Sequence, residues 1–162
     1  MVSTGTKNTA SSGAVCALDA FASIAFPATN ANYKLVDKGS SKAVDVSGAS
    51  MSDGANVIQW TDSGALNQNW RFVPVGDGSY EIVSRNSALL MDIGGDGTSI
   101  VQSSDDNAPS QHWTLVAAGN GYYKIKNVNS NKLLDVSPGG TQLVQSTDTN
   151  ADSQLWKVVN VD

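Results

Sequence analysis

Short segments in which apolar and polar residues alternate recur along most of the chain, for example at residues 80–83, 113–116 and 123–126. A period of two is typical of strands with one buried face, and no stretch shows a sustained helical period. Asp77-Gly78 and Asn120-Gly121 each precede a Tyr segment. Such dipeptides favour tight hairpin turns because Gly tolerates positive φ. The pattern predicts an all-β protein.

The alternating segments belong to a threefold repeat. Three Gln-x-Trp motifs end at Trp70, Trp113 and Trp156, 43 residues apart each time. In every copy a Tyr lies 12 residues before an Asp with apolar neighbours, and a Gln lies 11 residues before the Trp. These residues are Tyr33, Tyr80 and Tyr123; Asp45, Asp92 and Asp135; and Gln59, Gln102 and Gln145. The first copy differs by a four-residue insertion between its Asp and its Gln.

The repeat predicts how the chain is organised. Three copies of about four short strands, none able to bury its apolar face alone, must share one core. We expect a β-trefoil with pseudo-symmetric repeats at residues 33–75, 76–118 and 119–162; a three-bladed propeller is the structural rival, but blades usually number four or more. Residues 1–32 lie outside the repeat, as a linker or the tail of an upstream module. Within them, residues 14–25 are apolar enough to pack, for example as a strand.

Composition and charge narrow the possible partners. Only 15% of residues are charged, so the surface is largely neutral and suits uncharged polar ligands, and the net charge of −5 disfavours nucleic acid and anionic membranes. No apolar run reaches the roughly 20 residues of a membrane helix.

Cys16 is the only cysteine, which excludes an internal disulfide and a zinc cluster. We expect a soluble monomer without metal or cofactor. Asp19 interrupts the apolar N-terminal stretch, so no convincing signal peptide is present.

Threefold symmetry separates residues of the common fold from residues with a local role. Trp70, Trp113 and Trp156 occur in every copy, which indicates a core position, and the Gln of each motif is expected to bond backbone or a neighbouring carboxylate. Trp60 and Asn67 occur in the first copy alone. Their counterparts are serines, namely Ser103 and Ser146 for Trp60, and Ser110 and Ser153 for Asn67.

The residues of the first copy suit a sugar. A pyranose has an apolar face and a rim of hydroxyls, so a site needs an aromatic platform beside fixed acceptors and donors. Trp60 would supply the platform, Asp45 would accept bonds from two hydroxyls, and Asn67 would donate and accept. Gln68 would contact the sugar or hold Asp45. The alternative is that Trp60 covers an edge and the three Asp residues stabilise turns.

Three Gln-x-Trp motifs, each after an apolar-Asp-apolar segment, resemble the ricin B-type lectins and the family 13 carbohydrate-binding modules. The resemblance covers residues 33–162. It implies a β-trefoil that binds galactose, xylan or related sugars in shallow pockets, with Asp45, Trp60, Asn67 and Gln68 at the family's sugar-binding positions. Ile58 departs from the family, because many members have Gln there.

The resemblance also implies where the protein works and which copies bind. The second and third copies lack the aromatic, so Asp92, Gln111, Asp135 and Gln154 would form weak or silent secondary sites. Modules of this family are often appended to secreted glycoside hydrolases. We therefore expect a non-catalytic, extracellular module that docks on galactose-containing or related plant-type polysaccharide.

An enzyme and a protein-binding domain are the alternatives to a lectin. A hydrolase triad would need His112, the sole histidine, but its counterparts are Asn69 and Leu155, so we expect a variable surface position. Glu81 is the only glutamate, and no Asp stands out as its catalytic partner. The alternative from a different class is a trefoil that binds protein, such as a protease inhibitor. Those families generally lack threefold Gln-x-Trp motifs.

Overall fold

The computed structural model describes residues 26–162, which form twelve strands and four short 3-10 helices. The strands are β1 Asn32–Asp37, β2 Ala43–Val46, β3 Val57–Trp60, β4 Trp70–Pro74, β5 Tyr80–Ser84, β6 Leu90–Ile93, β7 Ile100–Ser103, β8 Trp113–Gly119, β9 Tyr122–Asn127, β10 Leu133–Val136, β11 Leu143–Ser146 and β12 Trp156–Asn160. The 3-10 helices are Ser47–Ala49, Leu66–Gln68, Pro109–Gln111 and Asp152–Gln154. The predicted strand segment at residues 14–25 lies outside the described residues.

Six strands form a closed antiparallel barrel. β1 pairs with β4, β4 with β5, β5 with β8, β8 with β9, β9 with β12, and β12 returns to β1. The seam between β1 and β12 runs from the pair Tyr33 and Asn160 to the pair Asp37 and Trp156. Beyond it, Asn32 donates from its backbone and side chain to both carboxylate oxygens of Asp162, at 2.9 and 2.8 Å. The barrel therefore has no open edge.

The other six strands form three hairpins, β2–β3, β6–β7 and β10–β11. Each hairpin is hydrogen-bonded to the next, since Gln59 N donates to Thr141 O at 2.8 Å, Gln102 N to Ala55 O at 2.9 Å, and Gln145 N to Thr98 O at 2.9 Å. A six-stranded barrel capped by a hairpin triplet is a β-trefoil. The predicted fold class is confirmed.

The core repeats with the same threefold symmetry. Trp70, Trp113 and Trp156 are fully buried, and each indole Nε1 donates to a carbonyl of its own copy at 3.1 Å. Their apolar neighbours recur in sets of three: Leu35, Ile82 and Ile125; Val44, Met91 and Leu134; and Val57, Ile100 and Leu143. Each of these side chains is removed from water, and burying one contributes about 1.5–3 kcal/mol. The expectation that the three Trp residues form the core is confirmed.

The two predicted turns lie where expected. Asn120 and Gly121 join β8 to β9 with φ of 56° and 81°, the positive values that a two-residue hairpin needs. Asp77 and Gly78 lie between β4 and β5, and Val75 N donates to Ser79 O at 3.0 Å across that turn.

The residues before β1 contact the barrel. Phe26 stacks on Tyr123 with 5.4 Å between ring centroids, and meets the edge of Tyr33 at 5.7 Å. Ala28 N donates to the hydroxyl of Tyr33 at 2.8 Å. No helix among residues 26–162 has the length and apolar character needed to cross a membrane.

Candidate functional site

A cleft of about 460 Å³ opens on the first repeat, between the β2–β3 hairpin and the 3-10 helix Leu66–Gln68. Three of the predicted site residues line it: Asp45 from β2, Trp60 from the end of β3, and Asn67 from the 3-10 helix. The remaining lining comes from Ser47, Gly48, Ala49, Ile58 and Ser63. The fold therefore brings the predicted platform and the predicted polar groups to one surface.

Trp60 is half-exposed on this surface, with 53% of its area accessible. β3 alternates buried and accessible residues, with Val57 and Gln59 inside. Trp60 therefore lies on the outer face of its strand. An indole held by its strand but not buried in the core is available for contact with a ligand.

Asp45 is fixed by two amide groups. Its Oδ1 accepts from Asn67 Nδ2 at 3.0 Å and its Oδ2 from Gln68 Nε2 at 2.8 Å. Burial raises the pKa of the Asp45 carboxyl, and the bonds from Gln68 and Asn67 partly offset this. Each carboxylate oxygen accepts one hydrogen bond from a side-chain amide within the protein and so keeps acceptor capacity for a further donor.

Gln68 lies behind the cleft and does not line it. It is 1% exposed, its Oε1 accepts from Ser63 N at 2.9 Å, and its Nε2 donates to Thr61 O at 2.8 Å as well as to Asp45. Gln111 and Gln154 bond their own copies in the same way. Of the two predicted roles for Gln68, the geometry fits holding Asp45.

The second and third repeats differ at the aspartate. Asp92 accepts three bonds within the protein: from Ile93 N at 2.6 Å, from Ser103 Oγ at 2.5 Å and from Gln111 Nε2 at 3.1 Å. Ser103 is the counterpart of Trp60. The serine found in place of Trp60 thus already donates a hydrogen bond to the carboxylate that a ligand would need.

The third repeat has the same closed arrangement. Asp135 accepts bonds from Val136 N, Ser146 Oγ and Gln154 Nε2. A cleft of about 530 Å³ adjoins Asp135 and Ser146, but no aromatic side chain lines it. The candidate secondary sites Asp92, Gln111, Asp135 and Gln154 therefore consist of residues that already bond one another.

The loop of the first copy that contains the insertion reaches across to the second repeat. Asp53 Oδ2 accepts from Ser104 Oγ at 2.5 Å, and Gln102 Nε2 donates to the carbonyls of Ser50 and Ser52 at 3.0 and 2.9 Å. Gly54 N donates back to Gln102 O at 2.7 Å. Sequence reasoning located the insertion but missed these contacts, since no local pattern marks them.

The prediction that His112 lies at the surface was wrong. Its side chain is 8% exposed and not at a variable surface position as predicted. The counterpart Asn69 is buried as well. Val128 N donates to His112 O at 2.9 Å, so this residue links two repeats and is enclosed where they meet. Among residues 26–162 there is no group of three or more His, Cys, Asp or Glu placed to hold a metal ion.

Comparison with solved structures supports the trefoil assignment. ThreeFoil, a designed protein with threefold symmetry, is 43% identical, with a TM-score of 0.76 over 80% of this chain and 99% of that chain. The exo-β-1,3-galactanase of Clostridium thermocellum is 35% identical, with a TM-score of 0.78 over 82% of this chain but only 30% of that chain. The Macrolepiota procera ricin B-like lectin, solved with lactose, shares the fold at 21% identity and a TM-score of 0.73, over 85% of this chain and 100% of that chain.

The comparison with curated proteins gave no significant match. The family model for the ricin-type β-trefoil lectin domain-like family matches at residues 23–103, 66–145 and 109–162, which together span the three repeats. By this match the chain belongs to the ricin-type β-trefoil lectin domain-like family.

Proposed function

We propose that this domain is a non-catalytic module that binds galactose-containing or related plant-type polysaccharide through its first repeat. One observation carries the proposal: Trp60 is half-exposed on a cleft beside Asp45 and Asn67, whereas the matching positions of the other repeats hold serines. A sugar ring would stack on the indole while its hydroxyls donate to Asp45 and bond Asn67.

The setting of the module is part of the proposal. The galactanase match covers 30% of that enzyme's chain, which is the relation expected of a domain attached to a larger catalytic protein. We propose that this domain likewise accompanies a secreted glycoside hydrolase and works outside the cell as a monomer. A single shallow site would bind a monosaccharide with a dissociation constant of about 1 mM, or about 4 kcal/mol. Attachment to an enzyme raises the effective concentration and makes such an affinity useful.

A glycan array with the wild type and Trp60→Ala tests the proposal. We expect wild-type binding to glycans that contain galactose or related plant sugars, and its loss in the variant, because the platform is gone while the barrel is untouched. Val116→Ala is the matched control, since Val116 is also exposed but lies on β8 in the second repeat.

Unchanged binding by Trp60→Ala would refute the assigned site. Inhibition of a protease in a panel assay, without glycan binding, would favour the protein-binding alternative. Release of reducing sugar from a polysaccharide by the purified chain would overturn the non-catalytic assignment.

A further inference from the structure

The three most exposed large apolar side chains among residues 26–162 all belong to the first repeat: Met51 at 63%, Trp60 at 53% and Leu66 at 51%. None has a large aliphatic or aromatic counterpart in the other repeats. Leu66 corresponds to Pro109 and Asp152, and Met51 lies in the insertion that the other copies lack. The common fold therefore does not require these side chains.

Met51 and Leu66 belong to the two segments that border the cleft containing Trp60. Asn86 Nδ2 donates to Ala49 O at 3.1 Å and contacts the sulfur of Met51 at 3.4 Å, so Met51 lies next to a residue that lines the cleft. Leu66 directly precedes Asn67, which lines the cleft from the 3-10 helix. Each of the two segments that border the cleft thus carries an exposed apolar side chain.

Met51 is carried by a loop with fixed ends. The carbonyls on either side of it, Ser50 and Ser52, both accept from Gln102 Nε2, and Asp53 bonds Ser104 of the second repeat. A loop that is already positioned loses less conformational freedom when a ligand binds. An exposed methionine on such a loop is suited to contact a ligand, because its flexible side chain adapts to the surface that it meets.

The cleft is also large for one sugar. At about 460 Å³ it falls within the range of pockets, about 300–1,000 Å³, that enclose drug-sized ligands. A single pyranose ring has fewer atoms than such a ligand. The volume, together with the apolar side chains beside it, indicates a ligand that extends past Trp60.

We propose that the first repeat binds a glycan chain of three or more sugar units, with one ring on Trp60 and neighbouring units against Met51 and Leu66. This rests on the proposed function, because Trp60 must first hold a sugar. Met51 and Leu66 contact the apolar faces of the adjacent units. Asp53 is a positioning residue, which acts by keeping the Met51 loop in place through Ser104.

Calorimetric titration of the full chain with galactose and with β-1,3-linked galacto-oligosaccharides of increasing length tests this inference. We expect affinity to rise about tenfold from one unit to three and then to level off. Met51→Ala or Leu66→Ala should lower the affinity for the trisaccharide about threefold to tenfold and leave that for galactose within about twofold. Val116→Ala should change neither value.

Asp53→Ala separates a positioning role from a merely structural one. It should reduce the gain in affinity with chain length while galactose binding and the thermal unfolding midpoint stay close to those of the wild type. A general loss of structure would instead lower galactose binding as well, and that result would contradict the positioning role.

The outcomes distinguish the extended site from the site itself. Equal affinity for galactose and for longer chains, or a full length-dependent gain in both Met51→Ala and Leu66→Ala, would overturn the extended site and leave the proposed function intact. Absence of binding to every member of the series would overturn this ligand class and the extended site together.

Discussion

Asp37 and Asn127 hold equivalent positions at the ends of β1 and β9, but Oδ2 of Asp37 can accept a hydrogen bond where Nδ2 of Asn127 donates one. Oδ1 of each accepts from the backbone N–H three residues later, at 2.8 Å for Asp37 and 3.3 Å for Asn127. Asn127 Nδ2 donates to Ser110 O at 2.8 Å. The same symmetry predicts the carbonyl of Ser153 opposite Asp37 Oδ2, and this buried oxygen has no hydrogen-bond partner among the described residues.

The surroundings of Asp37 favour its neutral form. Burial raises the pKa of this carboxyl; hydrogen bonds from Ser40 and Gly39 partly offset the rise, and the charge of Asp135 adds to it. Asp152 lies close to Gly39, two residues after Asp37, and its carboxylate is 3.5 Å from Lys38 Nζ. A protonated Asp37 could donate to the carbonyl that an ionised one only repels.

We expect Asp37→Asn to raise the free energy of unfolding by about 1 kcal/mol near neutral pH, because its amide donates where the carboxylate cannot. Because the folded-state pKa of Asp37 is raised, the contribution of this carboxyl to wild-type stability is fully present at low pH. That contribution is lost as the pH rises through the folded-state pKa. The gain from Asn should therefore be smallest near pH 4 and level off above the folded pKa. Urea unfolding between about pH 4 and pH 8 measures both effects.

Asp106→Asn, at an exposed loop position, is the control for removal of one negative charge. A destabilised Asp37→Asn, or a difference from wild type that does not vary with pH, would contradict the interpretation.

Asn67→Ser tests the unique amide of the first repeat. The change removes the bonds from Asn67 Nδ2 to Asp45 Oδ1 at 3.0 Å and to Val46 O at 2.9 Å, together with a group that we propose bonds the sugar. Glycan affinity should fall about tenfold, which corresponds to about 1.4 kcal/mol. Calorimetry gives the affinity, and thermal unfolding shows whether the barrel is intact. Affinity equal to that of the wild type would exclude Asn67 from the site.

A second site should appear when the third repeat is given the residues of the first. Ser146→Trp with Ser153→Asn supplies the platform and the amide, and it removes the hydroxyl that occupies Asp135. The cleft beside Asp135 already has a volume of about 530 Å³. The stoichiometry of glycan binding by calorimetry should rise from about one to about two per chain.

Ser153→Asn alone is the matched control and should leave the stoichiometry unchanged, because Ser146 still bonds the carboxylate. A stoichiometry of about one in the double variant would show that the platform and the amide are insufficient.

Glycan binding should weaken on acidification. The ligand hydroxyls would donate to an ionised Asp45, and burial raises the pKa of this carboxyl. Affinity is therefore expected to be constant at neutral pH and to fall as pH drops through the raised pKa, at a higher pH than for an ordinary aspartate. Affinity measured by calorimetry from about pH 7 to pH 4, with thermal unfolding at each pH, checks this. Constant affinity across that range in a folded protein would argue against a role for the carboxylate.

The fold was accessible from the sequence because its information is repeated three times. The spacing of Trp70, Trp113 and Trp156 predicted three equal units, and the alternating segments predicted their strands. The closed barrel then follows, since the apolar faces of three units have one shared interior to fill. The singular residues Trp60 and Asn67 pointed to the cleft for the converse reason, because the common fold does not need them.

What the sequence did not show depends on side-chain direction and on contacts between repeats. The hydroxyl of Ser103 donates to the carboxylate of Asp92, and no spacing in the sequence predicts this hydrogen bond. His112 was expected at the surface because its counterparts vary, yet it is enclosed where two repeats meet. Asp53, in the loop that contains the insertion, accepts a hydrogen bond from Ser104 of another repeat, 51 residues away. Variation among copies shows that a position tolerates different side chains and does not show that it is exposed.

The pairing of β1 with β12 has a consequence for biosynthesis. These strands are separated by nearly the whole domain, so the ring cannot close until β12 has left the ribosome. Each hairpin forms from neighbouring residues, but β12, which closes the barrel against β1, is the last of the twelve strands to be translated. Such distant pairing slows folding relative to proteins built from local contacts. The nascent domain therefore keeps one edge of β1 unpaired until β12 emerges, however early its hairpins have formed.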